Sequence, residues 1–310
     1  MRRFTMTYCF DAPGGIGRQV RAIADYQIGA ALAELDRPDE QREDIVHAVR
    51  LRCKKLRGLI RLVRPAFEPY KDENAAFRHV SHLFAELRDA KVMQDTYDLV
   101  LGAFDEQVER GAFAGVRREL TRRRKALLAR TDWAALCGEA RERLGAARER
   151  ASDWRIEGDG WGAIAPGIAK THGRAVKAMA KATDEPTGDT HHEWRKRAKY
   201  HRYHTRLVKH AFEQALAPRA DTLHHLTGLL GDHHDIHVLA EALDEDPDAF
   251  GDERTLALLA SMAERRAADL SARAHALGTR LFAEETDALV ERWGRWWKAW
   301  ESECEPARVA

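Results

Sequence analysis

Cysteine is scarce in this chain, with four in 310 residues, at positions 9, 53, 137 and 304, and no CxxC pair among them. That spacing excludes a zinc ribbon or a redox dithiol and leaves isolated thiols of the kind kept reduced inside a cell. Long apolar runs are missing too. None approaches the roughly 20 residues of a membrane-spanning helix, and the start MRRFTMTYCFDAPGG has too short an apolar stretch for a secretory leader. Nor is there an excess of one charge. Charged residues make up 33% of the chain, but the net charge is only +1, so bulk electrostatics names no polyanionic partner. The expectation is a soluble, cytoplasmic protein whose anion sites, if any, depend on how the charges are arranged.

Prolines are few, nine in all. Alanine, leucine, arginine and glutamate dominate, and apolar residues recur at intervals of three and four, which is the helical period. This predicts an all-α protein. Breakers mark the joints at DRPDE (36–40), RPAFEP (64–69), WRIEGDGWG (154–162), TDEPTGD (183–189) and DEDPDAFGDE (244–253). The glycine-rich joint near 158 divides the chain almost in half.

The two halves resemble each other. In the first, a helix near 18–35 runs into Pro38 and then a basic helix; in the second, a helix near 166–182 runs into Pro186 and then a second basic helix. Both basic helices read H-x-x-R-x-x-x-K-x-x-R-x-x-x-R: His47, Arg50, Lys54, Arg57 and Arg61 against His192, Arg195, Lys199, Arg202 and Arg206. Matches at a constant offset argue for an internal duplication. About the same offset brings RDAKVM (88–93) over HDIHVL (234–239).

Steps of three and four keep returning to one side of an α-helix, so each set of cations falls within an arc of roughly 80° and forms a row about 21 Å long. In the first copy Val49, Cys53, Leu56, Ile60 and Val63 form an apolar stripe roughly 110° away, which lets the helix bury one face and present a cationic edge beside it. A solvated helix face interleaves acids to relieve repulsion. From His47 to Arg64 there is no acid at all, and the second helix, HHEWRKRAKYHRYHTRLVKH (191–210), contains only Glu193. Arginine, lysine, histidine and Tyr203 together offer forked, point-charge and hydroxyl donors suited to phosphate oxygens.

These two helices, the pairs Arg195-Lys196 and Arg202-Tyr203, and the segment LGDHHDIHVL resemble the CHAD family, the conserved histidine α-helical domain, from about Arg18 to about Trp300. The resemblance implies two four-helix bundles related by a pseudo-twofold axis, one half over 18–157 and the other over 158–302, between an extension at 1–17 and a tail at 303–310. It also implies a basic central groove that binds inorganic polyphosphate, with no catalysis and no cofactor, and possible residence on polyphosphate granules. In the groove Arg50, Arg57, Arg61, Arg195, Arg202 and Arg206 would fork onto phosphate oxygens. Lys54, Lys196 and Lys199 would act as point charges, and His47, His192 and Tyr203 as hydrogen-bond donors. Lys55, Arg64, Lys170, Arg174 and Lys177 join them by the same analogy. Leu51 and Gly58 occupy the positions matching Lys196 and Tyr203, so the first row should grip less fully. Many relatives carry a CYTH triphosphatase domain ahead of this one, for which the residues before Arg18 leave no room.

Other constellations compete. HHDIH (233–237), with His224 and His225 upstream, could belong to a metal-dependent phosphohydrolase of the HD type, whose chemistry needs histidines and carboxylates converging on divalent ions. In the first half, however, Arg88-Asp89 replaces His234-Asp235 with a pair whose arginine cannot bind metal. Asp89 and Asp235 therefore read better as orienting basic side chains or capping a helix. A nucleic-acid partner would account for basic helices too, but no recognised module or base reader accompanies them, so only weak cross-binding is expected. The run RRELTRRRKALLAR (117–130) has no second copy and reads as a solvated helix. Trp293, Trp296, Trp297 and Trp300 share one helix face and are expected to close the core of the second bundle. Finally, Thr190 to Glu193 reads as a capping box that would put His192 in a first helical turn, where free N–H groups favour an anion; His47 should sit similarly.

Overall fold

Helical periodicity and capped joints generate the elements of this protein, whose structure is a computed structural model describing residues 8–304. The start of the expected N-terminal extension, 1–7, and the tail from 305 lie outside the described residues. Helix α1 (Ile16–Leu35) follows Gly15, whose φ of 68° suits a residue without a side chain. A proline joint then leads into α2 (Arg42–Leu62). Next come α3 (Tyr70–Leu83), α4 (Ala85–Gly102) and α5 (Ala114–Arg130). Helix α6 (Trp133–Ser152) is started by Asp132, whose carboxylate accepts the Ala135 N–H at 2.9 Å. The second half contains α7 (Gly160–Asp184), α8 (Gly188–Leu207), α9 (Glu213–Glu245), the single turn α10 (Pro247–Phe250), α11 (Glu253–Leu281) and α12 (Thr286–Cys304). Among the described residues there is no strand, and the fold is all-α.

Helix α8 begins three residues earlier than the T-x-x-E pattern suggests. Thr187 is the N-cap, and Thr190, three residues on, completes a reciprocal box: the Thr187 hydroxyl accepts the Thr190 N–H at 3.2 Å and the Thr190 hydroxyl accepts the Thr187 N–H at 3.0 Å. His192 and, in α2, His47 therefore both lie beyond the first turn. The free N–H groups expected beside them are elsewhere.

The apolar stripe of α2 is buried as its spacing requires: Val49, Cys53, Leu56, Ile60 and Val63 are all 0% exposed. Each such aliphatic side chain contributes about 1.5–3 kcal/mol relative to exposure. The buried side chains form two cores. One gathers α1, α2, α3, α6 and α12 with the start of α7 and the end of α8. The other gathers α4, α5, α9 and α11 with the end of α7 and the start of α8. Helices α4 and α5 thus leave the first half of the sequence to pack with the second, and α12 does the reverse. Its Trp293 and Trp297, fully buried, close the first core against Phe10 and Trp161, and not the second core as their position in the chain suggests. Helices α7 and α8 run through both cores. Gly167 permits this crossing, because a Cβ there would fall 1.7 Å from the Leu62 carbonyl oxygen at the end of α2.

Candidate anion-binding cleft

Helices α2 and α8 pack side by side, with α4 and α9 behind them. The cation row of α2, placed by the burial of its apolar stripe, meets that of α8, placed by the burial of Trp194, Ala198, His201 and Thr205, across a cleft of about 340 Å³. Arg50, Lys54 and Arg57 line it from α2, and His192, Arg195, Lys196, Lys199 and Tyr203 from α8. Helices α4 and α9 supply Arg88 with Asp89 and His234 with Asp235, the two pairs that fall at about the same offset in the sequence. Tyr200 and Val92 complete the wall.

Several cations are oriented by neighbours and still present free N–H groups. Arg50 donates to the Ser81 carbonyl, and its Nε, though buried, has no partner. Arg57 Nε donates to Asn74 Oδ1 at 3.1 Å. Arg195 lies 3.8 Å from Asp235, and Lys196 2.6 Å from Glu193. Asp89 favours the charged form of Arg50, and Asp235 holds the matching place beside Arg195. The two aspartates thus sit among the arginines as orienting charges. Among the described residues no group of three or more His, Cys, Asp and Glu side chains could hold a metal ion.

Crowding is the main electrostatic feature. Burial and the charges of Arg50, Arg195 and Arg88 bring the Lys54 ammonium down to about 8. Burial and the charges of Lys54, Arg195 and Arg202 bring Lys199 down to about 7. His192, buried against the ring of His234 at 3.9 Å, falls to about 4 and is a neutral imidazole at physiological pH. Unpaired like charges held in a low-dielectric cleft raise its energy, and an anion would lower it.

Tyr203 differs from the solvent-facing donor expected of it. Its side chain is 1% exposed at the floor of the cleft, its hydroxyl has no hydrogen-bond partner, and burial pushes its pKa up to about 12. Gly58 lies directly beneath the ring. The glycine at the position matching Tyr203 is therefore no gap in the first row; it is the space that Tyr203 fills.

The remaining expected residues are distributed around this cleft. Arg61, Arg64, Lys170 and Arg174 meet in a smaller depression between α2 and α7, where Arg197, Thr171 and Tyr200 join them. Arg61 stacks on Tyr200, with its guanidinium 4.1 Å from the ring centroid, and Tyr200 borders both spaces. Arg202 and Arg206 turn instead toward a third space of about 400 Å³, lined also by Tyr8, Lys209, Asp221 and His224. Lys55 stands beside it, 5.7 Å from the centroid of Tyr8, and burial with Arg52, Arg206 and Arg202 lowers it to about 8. His47, exposed near the start of α2, and Lys177, exposed on α7, line none of these spaces. The sequence does not single out Arg88, His234, Arg197, Tyr200 or Lys209 as site residues, although the last three lie within the basic run 191–210. In contrast, the basic run on α5 is neutralised: Arg122 and Arg123 pair with Glu119 at 2.7 Å, and Arg117 with Asp98 at 2.8 Å.

The model of the CHAD domain family matches residues 22–244. The chain belongs to the CHAD family. Its fold is similar to that of PptA from Streptomyces chartreusis, with a TM-score of 0.59 at 15% identity over 86% of this chain and 99% of that one. It is also similar to the crystal structure of the CHAD domain from the plant Ricinus communis, with a TM-score of 0.52 at 15% identity over 85% of this chain and 92% of that one. No curated protein sequence matches. At these identities the structural likeness speaks for the fold, and the cleft must speak for the ligand. No helix of the described residues is long and apolar enough to cross a membrane.

Proposed function

We propose that this CHAD protein binds inorganic polyphosphate, without hydrolysing it, in the cationic cleft between α2 and α8. The observation that carries the reading is that the middle parts of two matched rows of cations face one space with few acids, where burial first and the neighbouring cations second hold Lys54 and Lys199 well below their ordinary pKa. A chain of phosphates supplies the missing negative charge at regular spacing. Arginines fork onto its oxygens, and lysines follow it as point charges. The depression containing Arg61 shares Tyr200 with the cleft, Arg202 and Arg206 continue the α8 row into the third space, and both would extend the path of a long chain. A duplicated half, related to the other by a pseudo-twofold axis, accounts for the matched rows, and binding of this kind would bring the protein to cytoplasmic polyphosphate granules.

The test is a titration of the protein with long-chain polyphosphate, a short phosphate, heparin and single-stranded DNA at one salt concentration, with the chain length of the polyphosphate followed over hours. Tight binding of polyphosphate, weak binding of DNA and an unchanged chain length are expected. Shortening of the polyphosphate that Asp235→Ala abolishes would establish hydrolysis at the His234-Asp235 pair and overturn the reading.

A further inference from the structure

Lys199 occupies an unusual position for a lysine. It lies half-buried on α8 in the wall of the cleft, between Lys54, Arg195 and Arg202, and no described carboxylate forms an ion pair with it. Asp235 is the acid that partly offsets these charges, and it is engaged with Arg195. A primary amine surrounded in this way loses its proton readily and has its lone pair available, whereas an ordinary exposed lysine keeps its proton near neutral pH. The cations that suppress the ammonium form also attract any small molecule carrying a phosphate. Nucleophile and anion site are therefore in one place.

We propose that Lys199 is a covalent modification site that takes acyl groups from small acyl phosphates entering the cleft. The phosphate of the donor docks on Arg195, whose charge acts directly on Lys199 in the same cleft, and this holds its carbonyl within reach of the amine. The neutral amine nitrogen attacks the carbonyl carbon, a C–N bond forms, and the C–O bond to phosphate breaks with its electron pair leaving on inorganic phosphate. The surplus proton on nitrogen passes to water. No oxidant or reductant is needed. The product is an uncharged amide in the middle of the cation row, so the modification weakens polyanion binding and couples occupancy of the cleft to the supply of activated acyl groups. The inference rests on the affinity of the cleft for phosphate groups proposed above.

The experiment uses the full chain with acetyl phosphate near neutral pH, and follows acetylation site by site with mass spectrometry. A parallel series uses an uncharged acetyl ester. Because Lys199 is deprotonated far more than an ordinary lysine, its initial rate with acetyl phosphate should exceed that of Lys177 by about tenfold or more. The preference should be smaller with the ester, should fall in Arg195→Ala, and should vanish with the adduct in Lys199→Arg. Equal rates at Lys199 and Lys177, or an equal preference with both reagents, would overturn the proposal. Added polyphosphate separates the two readings. Selective labelling that polyphosphate leaves unchanged upholds the modification site and counts against polyphosphate as ligand; protection from labelling that is not selective does the reverse.

Discussion

Tyr203 of α8 packs over Gly58 of α2 so closely that a Cβ on the glycine would come 2.9 Å from Tyr203 Cδ2 and 2.9 Å from Tyr8 Oη. This contact fixes how near the two basic helices approach, and so the width of the cleft beside it. An alanine in a helix interior is normally favoured over glycine by about 1 kcal/mol. Here the added methyl would overpack the contact at a cost of about 1–3 kcal/mol. Gly58→Ala should therefore lower stability in denaturant unfolding, whereas Gly138→Ala on α6, where a Cβ meets nothing within 4 Å, should raise it. Equal gains at both positions would show that the helices are not held together at Gly58.

The pKa of Lys199 at about 7 and that of Lys54 at about 8 give the cleft a pH dependence. A bound polyanion favours the ammonium form and raises both values, so binding near pH 8 takes up protons and weakens as pH rises through this range. Calorimetry in buffers of different ionisation enthalpy measures the uptake. Lys54→Arg with Lys199→Arg should remove most of it, because guanidinium groups stay charged, and the remainder falls to Lys55, which burial and its neighbours also lower to about 8. Stability of the free protein has the opposite sign. The folded lysines lose their protons at lower pH than the unfolded ones, whose ordinary value is 10.5. From about pH 7 upward the unfolded state holds more protons, and these lysines contribute increasing stability as pH rises toward that value. A thermal midpoint that is lowered by the double arginine variant more at pH 9 than at pH 7 would agree with this sign.

Salt dependence distinguishes a phosphate track from apolar recognition. A flexible polyanion meeting about six cations should give a slope of log K against log salt near −4, and a loss of a few hundredfold between roughly 50 and 200 mM salt. A flat titration would contradict the cleft as the site, even if binding itself were tight.

Much of this architecture is legible in the sequence because a helix converts residue spacing directly into faces. Val49, Cys53 and Leu56 had to be buried together, and Arg50, Lys54 and Arg57 had to share the edge beside them. The spacing says which face is covered but not by which helix. For that reason Trp293 and Trp297 were assigned to the wrong core, and the departure of α4 and α5 from their own half left no trace in periodicity. Capping was misread because Thr190 fits two boxes in different registers, and the threonine pair 187 and 190 satisfies the helix start with shorter reach than Glu193, which instead pairs with Lys196. Tyr203 and Gly58 were read as an unequal pair of ligand positions. Only the distance between α2 and α8 makes them complementary.

Position on the rows can be separated from charge alone by substituting equal numbers of cations. Lys54→Ala with Arg57→Ala removes two cations from the α2 wall of the cleft, Arg195→Ala with Lys199→Ala two from the α8 wall, and Arg122→Ala with Arg123→Ala two from α5. None of these changes opens an apolar cavity. Stability should shift by only about 0.5 kcal/mol per site on the cleft walls, where relief of repulsion can make the change favourable. On α5 the pairs with Glu119 and Asp246 are lost, but they are exposed surface pairs that solvent screens, so little stability goes with them. Binding should behave differently. Each charge-assisted contact to a phosphate contributes about 1.5–3 kcal/mol, so either cleft double variant should bind polyphosphate more weakly by about two to four orders of magnitude. The two walls should lose comparable amounts, since Gly58 leaves no gap in the α2 row. The α5 variant should bind nearly as well as the unaltered protein, because Arg122 and Arg123 are already neutralised and stand outside the cleft. Equal damage from the α5 pair would mean that net charge attracts the polyanion, and undiminished binding by both cleft variants would mean that it binds elsewhere.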